Sequence, residues 1–342
     1  MTKRELVKNT IYRRDTGGKA PYAFDMTSRV VNRAAAHYGI KPGELSAFMG
    51  DCLLPFGLGS ARGFAAEDLG EGRYRDEFGV VWDKGDKVRD VGDWGGMLSH
   101  PLSNPVIDGF EYPNPRAPGR FDHIREAEIT ASGRYPMMYL NGLLDQAWHI
   151  RGFEPFMMDL ACEETFASAL LDKALEFIIG VVESTPSFIE GIRFGEDWGQ
   201  QCGLFMGGPM WRKFLKPRLR EMYASAHKRG FDVHIHTCGD IMELFPDIIE
   251  LGVQVVHPIQ PEAMDVARVK REYGKDLTLY GGLGSQSTIP LGSVADVLDE
   301  ARARLELLGK DGGYIFGPAG AIPTEAPTEN VVALIDFAMD LQ

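Results

Sequence analysis

Short apolar stretches bounded by glycine or proline alternate with longer stretches of helical period along this chain, a pattern that restricts it to repeated βα units. In the second half the candidate strands are "GIRFGED" (191–197), "FDVHIH" (231–236), "VQVVHPI" (253–259), "LTLYGG" (277–282) and "GGYIFGP" (312–318). The segments between them have the length that parallel crossovers need. In 208–230, Trp211, Phe214, Leu215, Leu219 and Met222 fall near the i, i+3, i+4, i+7 positions of one helix face, and Pro217 is expected to kink that helix. Segments 240–252 and 293–309 end in glycine as helices do, and 328–340 reads as a final helix. The first half adds strands at 20–26, 134–142 and, less clearly patterned, 94–100. The count is eight, the number that closes a (β/α)8 TIM barrel of the α/β class. An open doubly wound sheet is the runner-up, but no glycine-rich phosphate loop follows any strand.

Residues 50–130 interrupt the rhythm. "GRYRDEFGVVWDKGDKVRD" reads as a β-hairpin and the proline-rich stretch after it as a loop, so the expectation is one barrel domain over 1–342 with 50–130 inserted across one end. A chain that is 44% hydrophobic and 25% charged can bury a substantial core. The opening residues lack the apolar run of a secretory signal, and no apolar stretch reaches the about 18 residues of a membrane span. Four cysteines without paired spacing point to free thiols in a reducing cytoplasm. A net charge of -13 disfavours nucleic acid and anionic membranes as partners, while leaving a small substrate open.

Chemistry concentrates at strand ends. In "HIHTCGD" (234–240), strand alternation turns Asp232, His234 and His236 inward and leaves His236 at the C-terminal mouth, where such barrels keep their active sites. Cys238 follows two residues later, and an imidazole with a thiolate suits zinc; a hydrogen-bonded histidine beside a small buried cysteine is the competing account. In "FGEDWGQQ" (194–201), Glu196 and Asp197 are adjacent, so one should enter the mouth and the other cap a helix. Asp25, Asn141, His257, Gln260 and Gln286 end further strands, and together with Tyr22 they would form a polar ring. Segment 143–160 carries Arg151, Glu154 and Asp159 among aromatic Trp148, Phe153 and Phe156, a pattern that fits helix packing with an internal ion pair better than a substrate site.

The segments "FLKPRLREMYASAHKRGFDVHIHTCGD", "IMELFPDIIELGVQVVHPIQPEAMD", "LTLYGGLGSQSTIPLG" and "IPTEAPTENVVALI" resemble the uroporphyrinogen decarboxylase superfamily, as "DEFGVVW" and "LNGLLDQAWHIRGFEPFMMDL" do more weakly. The resemblance implies a (β/α)8 barrel, and a dimer. True decarboxylases of the family carry an arginine-rich segment after the first strand, where this chain reads "DMTSRVVNR" with Arg29, and a late histidine, where it reads "GPAGAIP". The resemblance is therefore to the methyltransferase branch, whose members move a methyl group to or from a corrinoid, or cobalamin, carried on a partner protein. In its zinc-dependent members an H-x-C pair and a later cysteine bind the ion. His236 and Cys238 match the pair, while Gly320 stands where the late cysteine should fall.

Catalytic zinc normally takes three protein ligands and keeps one open position. Glu196, first in line, Asp197 or His234 would supply the third, or acid–base chemistry at Glu196, Asp197 and His234 would replace the metal. The function expected is methyl transfer between a small donor, such as a methoxylated aromatic compound, and a corrinoid. A decarboxylase or lyase for a non-porphyrin acid, and a non-catalytic corrinoid- or partner-binding barrel, are the alternatives.

Overall fold

In the computed structural model, which describes residues 1–83 and 96–341, seven strands form one parallel sheet. They are β1 (Leu53–Gly57), β2 (Tyr135–Asn141), β3 (Gly191–Gly195), β4 (Asp232–His236), β5 (Val255–Ile259), β6 (Thr278–Leu283) and β7 (Tyr314–Pro318), paired in that order. The extended segment 21–26 joins the two edges. Ala23 N–H donates to Phe316 O at 3.1 Å and Phe316 N–H to Pro21 O at 2.8 Å on the β7 side, while Cys52 N–H donates to Tyr22 O at 2.8 Å just before β1. The fold is the (β/α)8 TIM-barrel type expected, with strand eight reduced to isolated bridges, Tyr22 to Phe316 and Met26 to Ile322.

The strand count was right for a partly wrong reason. Stretch 94–100 is not a barrel strand: Gly96–Ser99 belongs to a four-stranded antiparallel sheet with Glu67–Gly70, Arg73–Arg75 and Val81–Asp83, while 94 and 95 lie outside the described residues. The expected hairpin is the pairing of Arg73–Arg75 with Val81–Asp83; its residues 84–90 are also outside them. The missing barrel strand, "LLPFG", falls inside the stretch assigned to the insertion. Pro55 disguised it, because proline is tolerated in sheets chiefly on edge strands, and β1 pairs as a regular strand only with β2.

Helices begin with α1 (Lys3–Ile11), and those read from the sequence fall close to expectation. The 208–230 helix is broken rather than bent, into Gly207–Phe214 and Lys216–Lys228, because Pro217 sits in the first turn of the second piece, where its missing N–H costs nothing. Segment 143–160 is likewise two helices, α2 (Leu143–Arg151) and Phe153–Cys162, and the outer layer beside them is the long apolar α3 (Glu164–Ser184). Arg151 Nε donates to Asp159 at 2.7 Å, the internal ion pair expected, and Phe156 is core. No helix among the described residues is long and apolar enough to cross a membrane.

The inner faces of β2 and β4 meet at a buried polar cluster away from the mouth. Asp232 accepts from the hydroxyls of Tyr12 and Tyr135 and pairs with Lys8 at 2.9 Å, the N-terminal helix Lys3–Ile11 supplying Lys8. Burial works against the Asp232 charge, but the two phenols, Lys8 and His234 outweigh it and hold its carboxyl below the usual range. Its contribution is therefore complete above the ordinary aspartate pKa and is lost as pH falls through the lowered folded value. Asp232→Ala, which takes the acceptor from two phenols and leaves Lys8 paired with Glu190 alone, should cost about 2–3 kcal/mol in urea denaturation at pH 7. A loss below about 1 kcal/mol would show that the cluster is not coupled to folding.

Candidate functional site at the barrel mouth

The C-terminal ends of β2 to β5 are in register, with Asn141 beside Gly195, Gly195 beside His236 and His236 beside His257. Beyond β3 and β4 the chain turns back on itself, and Asp197 Oδ1 accepts from the Cys238 N–H at 2.8 Å. As a result one ligand atom each of Asp197, His236 and Cys238 lies within 4.8 Å of the others. His236 Nε2 and Cys238 Sγ are 3.6 Å apart. A nitrogen and a sulfur bound to one zinc at about 2.0–2.1 and 2.3 Å across a tetrahedral angle would be separated by about 3.6 Å. Donor set and spacing therefore fit a three-ligand ion with an open position. The other nitrogen of His236, Nδ1, lies 2.8 Å from His257 Nδ1. One proton bridges the two, so His257 can fix the His236 tautomer that leaves Nε2 free to ligate, as outer-sphere partners of metal-bound histidines do.

The third candidate ligand is thus Asp197, not Glu196. Counting along β3, Glu196 shares the outward phase of Ile192 and Phe194, and Asp197 the inward phase of Arg193 and Gly195. The buried Glu196 carboxylate accepts the Leu144 N–H at 2.6 Å, at the start of α2, and packs where a Cβ on Gly142 would collide with it. Burial pushes its pKa up to about 7, which the backbone donors of Leu144 and Leu143 only partly oppose.

The three groups line a cavity of about 1080 Å³ that also receives Asp25, Gln260 and Gln286. Other expected site residues lie elsewhere. Tyr22 is core, its hydroxyl donating to Met49 O at 2.6 Å. His234 sits below the mouth in the Asp232 cluster, 3.3 Å from the Tyr135 hydroxyl, and burial lowers its pKa to about 3, so it is a neutral structural imidazole there. Asn141 lines a separate, smaller chamber. Exposed Arg29 does not reach the cavity and Glu154 is exposed, whereas Trp148 lines it and Phe153 stacks edge-on with Phe205. Gly320 is at the wall, with φ +117°.

Sequence reasoning missed Arg193, the one cation among the described residues of the cavity lining. Buried on the inner face of β3, it donates to Asp25 at 3.0 Å and lies between the rings of Tyr280 and Tyr139, 5.4 and 6.0 Å from their centroids. Burial opposes its charge, but Asp25 and the phenols hold its pKa above the ordinary value. An arginine between isoleucine and phenylalanine on a strand was the available signal. Gly195 is needed beside it, because any Cβ there would collide with the Tyr139 hydroxyl. Asp145 was also missed; its carboxylate accepts from Trp148 Nε1 at 2.9 Å, and burial, with Glu196 and Asp197 nearby, pushes its pKa well up. Burial keeps the imidazoles of His236 and His257 neutral and the Cys238 thiol protonated while no cation is present.

A family model described as "Uroporphyrinogen decarboxylase (URO-D)" matches residues 146–341, more than half of the chain. The chain belongs to the uroporphyrinogen decarboxylase family. Curated relatives named uroporphyrinogen decarboxylase, from Anaeromyxobacter sp. (strain Fw109-5) and Anaeromyxobacter dehalogenans (strain 2CP-C), are each 24% identical over 267 residues, 75% of this chain and 74% of theirs. A solved structure titled "methyltransferase from Methanosarcina mazei" superposes with a TM-score of 0.70 at 18% identity, over 99% of this chain and 98% of the other. That likeness is one of fold.

The Glu196 environment has a measurable consequence. Its folded pKa lies above its unfolded value of 4.5, so its stabilisation is complete below about pH 4.5 and is lost as pH rises through about 7. The stability of the wild type relative to Glu196→Gln should fall between pH 5 and 8 in urea denaturation, and metal content should be the same in both. A pH-independent difference would place the carboxylate in water.

Proposed function

We propose that this protein is a methyltransferase that passes a methyl group between a small donor and a corrinoid carried on a partner protein, with a zinc ion held by Asp197, His236 and Cys238. The observation that carries the reading is the convergence of those three groups at the mouth of a cavity of about 1080 Å³. The H-x-C pair is the one the resemblance assigns to zinc-dependent methyltransferases, and the fold neighbour's title agrees with that reaction. Asp197 takes the place of the late cysteine.

Bound zinc would supply Lewis acidity toward the donor's heteroatom. The remaining work falls to the chain. His257 orients His236; Asp197, bonded to the Cys238 N–H, ties the two loops together; and Trp148, Tyr139 and Tyr280 present rings to the cavity. In demethylation of an ether the carbon–oxygen bond breaks with its electron pair remaining on oxygen, and the methyl group forms its new bond with a pair from reduced cobalt. Asp145 lines the same cavity, and burial favours its protonated form, so it would return a proton to the departing oxygen.

The names of the curated relatives favour a second reading, decarboxylation of a non-porphyrin acid. A porphyrinogen with many carboxylates fits poorly where Arg193 is the single lining cation among the described residues and is already paired with Asp25.

Purified protein should carry about one zinc per chain, Cys238→Ala and Asp197→Ala should lose most of it, and the absence of zinc from the wild type would remove the metal from the proposal. Mixing the protein with cob(I)alamin and a panel of methoxylated compounds should produce the visible spectrum of methylcobalamin, at least 100-fold more slowly for the two variants. Carbon dioxide release from an acid panel, without cobalt methylation, would instead establish the second reading.

A further inference from the structure

A second chamber of about 240 Å³ opens between the C-terminal ends of β1 and β2, the inner face of α3 and the loop before Val81. Tyr139 lines both this chamber and the large cavity, so the two share a wall. Phe78 and Phe177 form an aromatic wall, edge to face at 5.3 Å, continued by Val181. Facing it are two carboxamides, Asn141 and Gln146. Gln146 is 7% exposed, and neither side chain has a hydrogen-bond partner among the described residues. Their amide atoms are accessible rather than sealed in the protein, and Asn141 is half-buried, so a polar group entering the chamber can bond to them without displacing a protein partner. Among the described lining residues the one carboxylate, Glu77, is spent on fully buried Arg120 at 2.7 and 3.2 Å, and none of them offers an unpaired charge to attract or neutralise an ion.

We propose that this chamber binds a small uncharged single-ring aromatic molecule, its ring against Phe78 and Phe177 and its polar edge on the amides of Asn141 and Gln146. Resting on the methyltransferase reading, it is a subsite beside the reaction cavity, its occupant in contact with the Tyr139 ring that forms the shared wall. The volume exceeds the roughly 150 Å³ that holds benzene in an apolar protein cavity, which leaves room for one or two substituents. The absence of free positive charge among the described lining residues selects a methoxyphenol over a methoxybenzoate, whose carboxylate would be buried unpaired.

The test is calorimetric titration of the full chain with 2-methoxyphenol and with 2-methoxybenzoate, without any corrinoid. Saturable binding of the phenol is expected, with the benzoate at least 10-fold weaker. Val181→Phe, which fills the chamber, should weaken phenol binding at least 10-fold, and Gln146→Leu, which keeps volume and removes the amide, about 3- to 10-fold. Should Val181→Phe fail to fold, as judged by circular dichroism, Gln146→Leu and Asn141→Leu carry the test. No binding to the wild type, equal affinity for the two ligands, or phenol affinity unchanged in the folded variants would overturn the inference. Binding in the expected pattern without cobalt methylation would uphold the chamber and count against the methyltransferase reading alone.

Discussion

The ion pair between Arg193 and Asp25 lies where the barrel closes. Asp25 belongs to the extended segment that bridges β7 and the approach to β1, and Arg193 projects from β3 across the interior. Buried pairs of this kind give little net stability, since desolvation consumes most of the Coulombic gain, but losing one partner leaves the other charged and unpaired. The pair therefore acts on specificity: it fixes how the irregular eighth segment sits against the regular strands. It also gives the cavity floor a cation that two tyrosine rings and a carboxylate already satisfy, so the floor is polar without being a strong anion trap. The chemistry above it is set by neutral imidazoles and by the Asp197 carboxylate at the rim.

Register does the rest. With His236 between Gly195 and His257 in one layer, the histidine side chains of β4 and β5 meet, while the glycine on the other side leaves room for the Tyr139 ring. A larger residue at 195 would push Tyr139 off the wall it shares between the two chambers. The cavity, the histidine pair and the smaller chamber thus depend on one side-chain-free position.

The fold was legible because strand and helix periods differ, and six of the seven sheet strands were placed within a few residues. β1 was hidden by Pro55, whose effect on pairing depends on its being at an edge, something only the tertiary structure decides. His236 and Cys238 were legible from strand phase. The same phase, carried back from Asp197 through Gly195 to Arg193, would have chosen Asp197 over Glu196, because Ile192 and Phe194 share the phase of Glu196 and must face the helices. Parity does not tell depth, and so His234, inward like His236, was counted as a candidate third ligand and acid–base residue although it lies among Tyr135 and Asp232. The small chamber was invisible to this kind of reasoning, since its walls come from two helices, two strand ends and an inserted loop far apart in sequence.

On the proposed reading, the exchange of a late cysteine for Asp197 alters more than the identity of a ligand. It moves the third contact from the loop after β7 to the loop after β3, beside the other two, so one pair of adjacent loops holds the whole set. A carboxylate donates less charge than a thiolate, which leaves the ion a stronger acid toward an ether oxygen and a poorer activator of a thiol. Nor is the difference a single substitution deep. Gly320 adopts φ +117°, a conformation that a cysteine takes only with strain, although a Cβ there would meet nothing closer than Ser285 Oγ at 3.6 Å. Space is available for a thiol at 320 while the backbone resists one, so returning to a thiolate site would require the loop after β7 to change course as well.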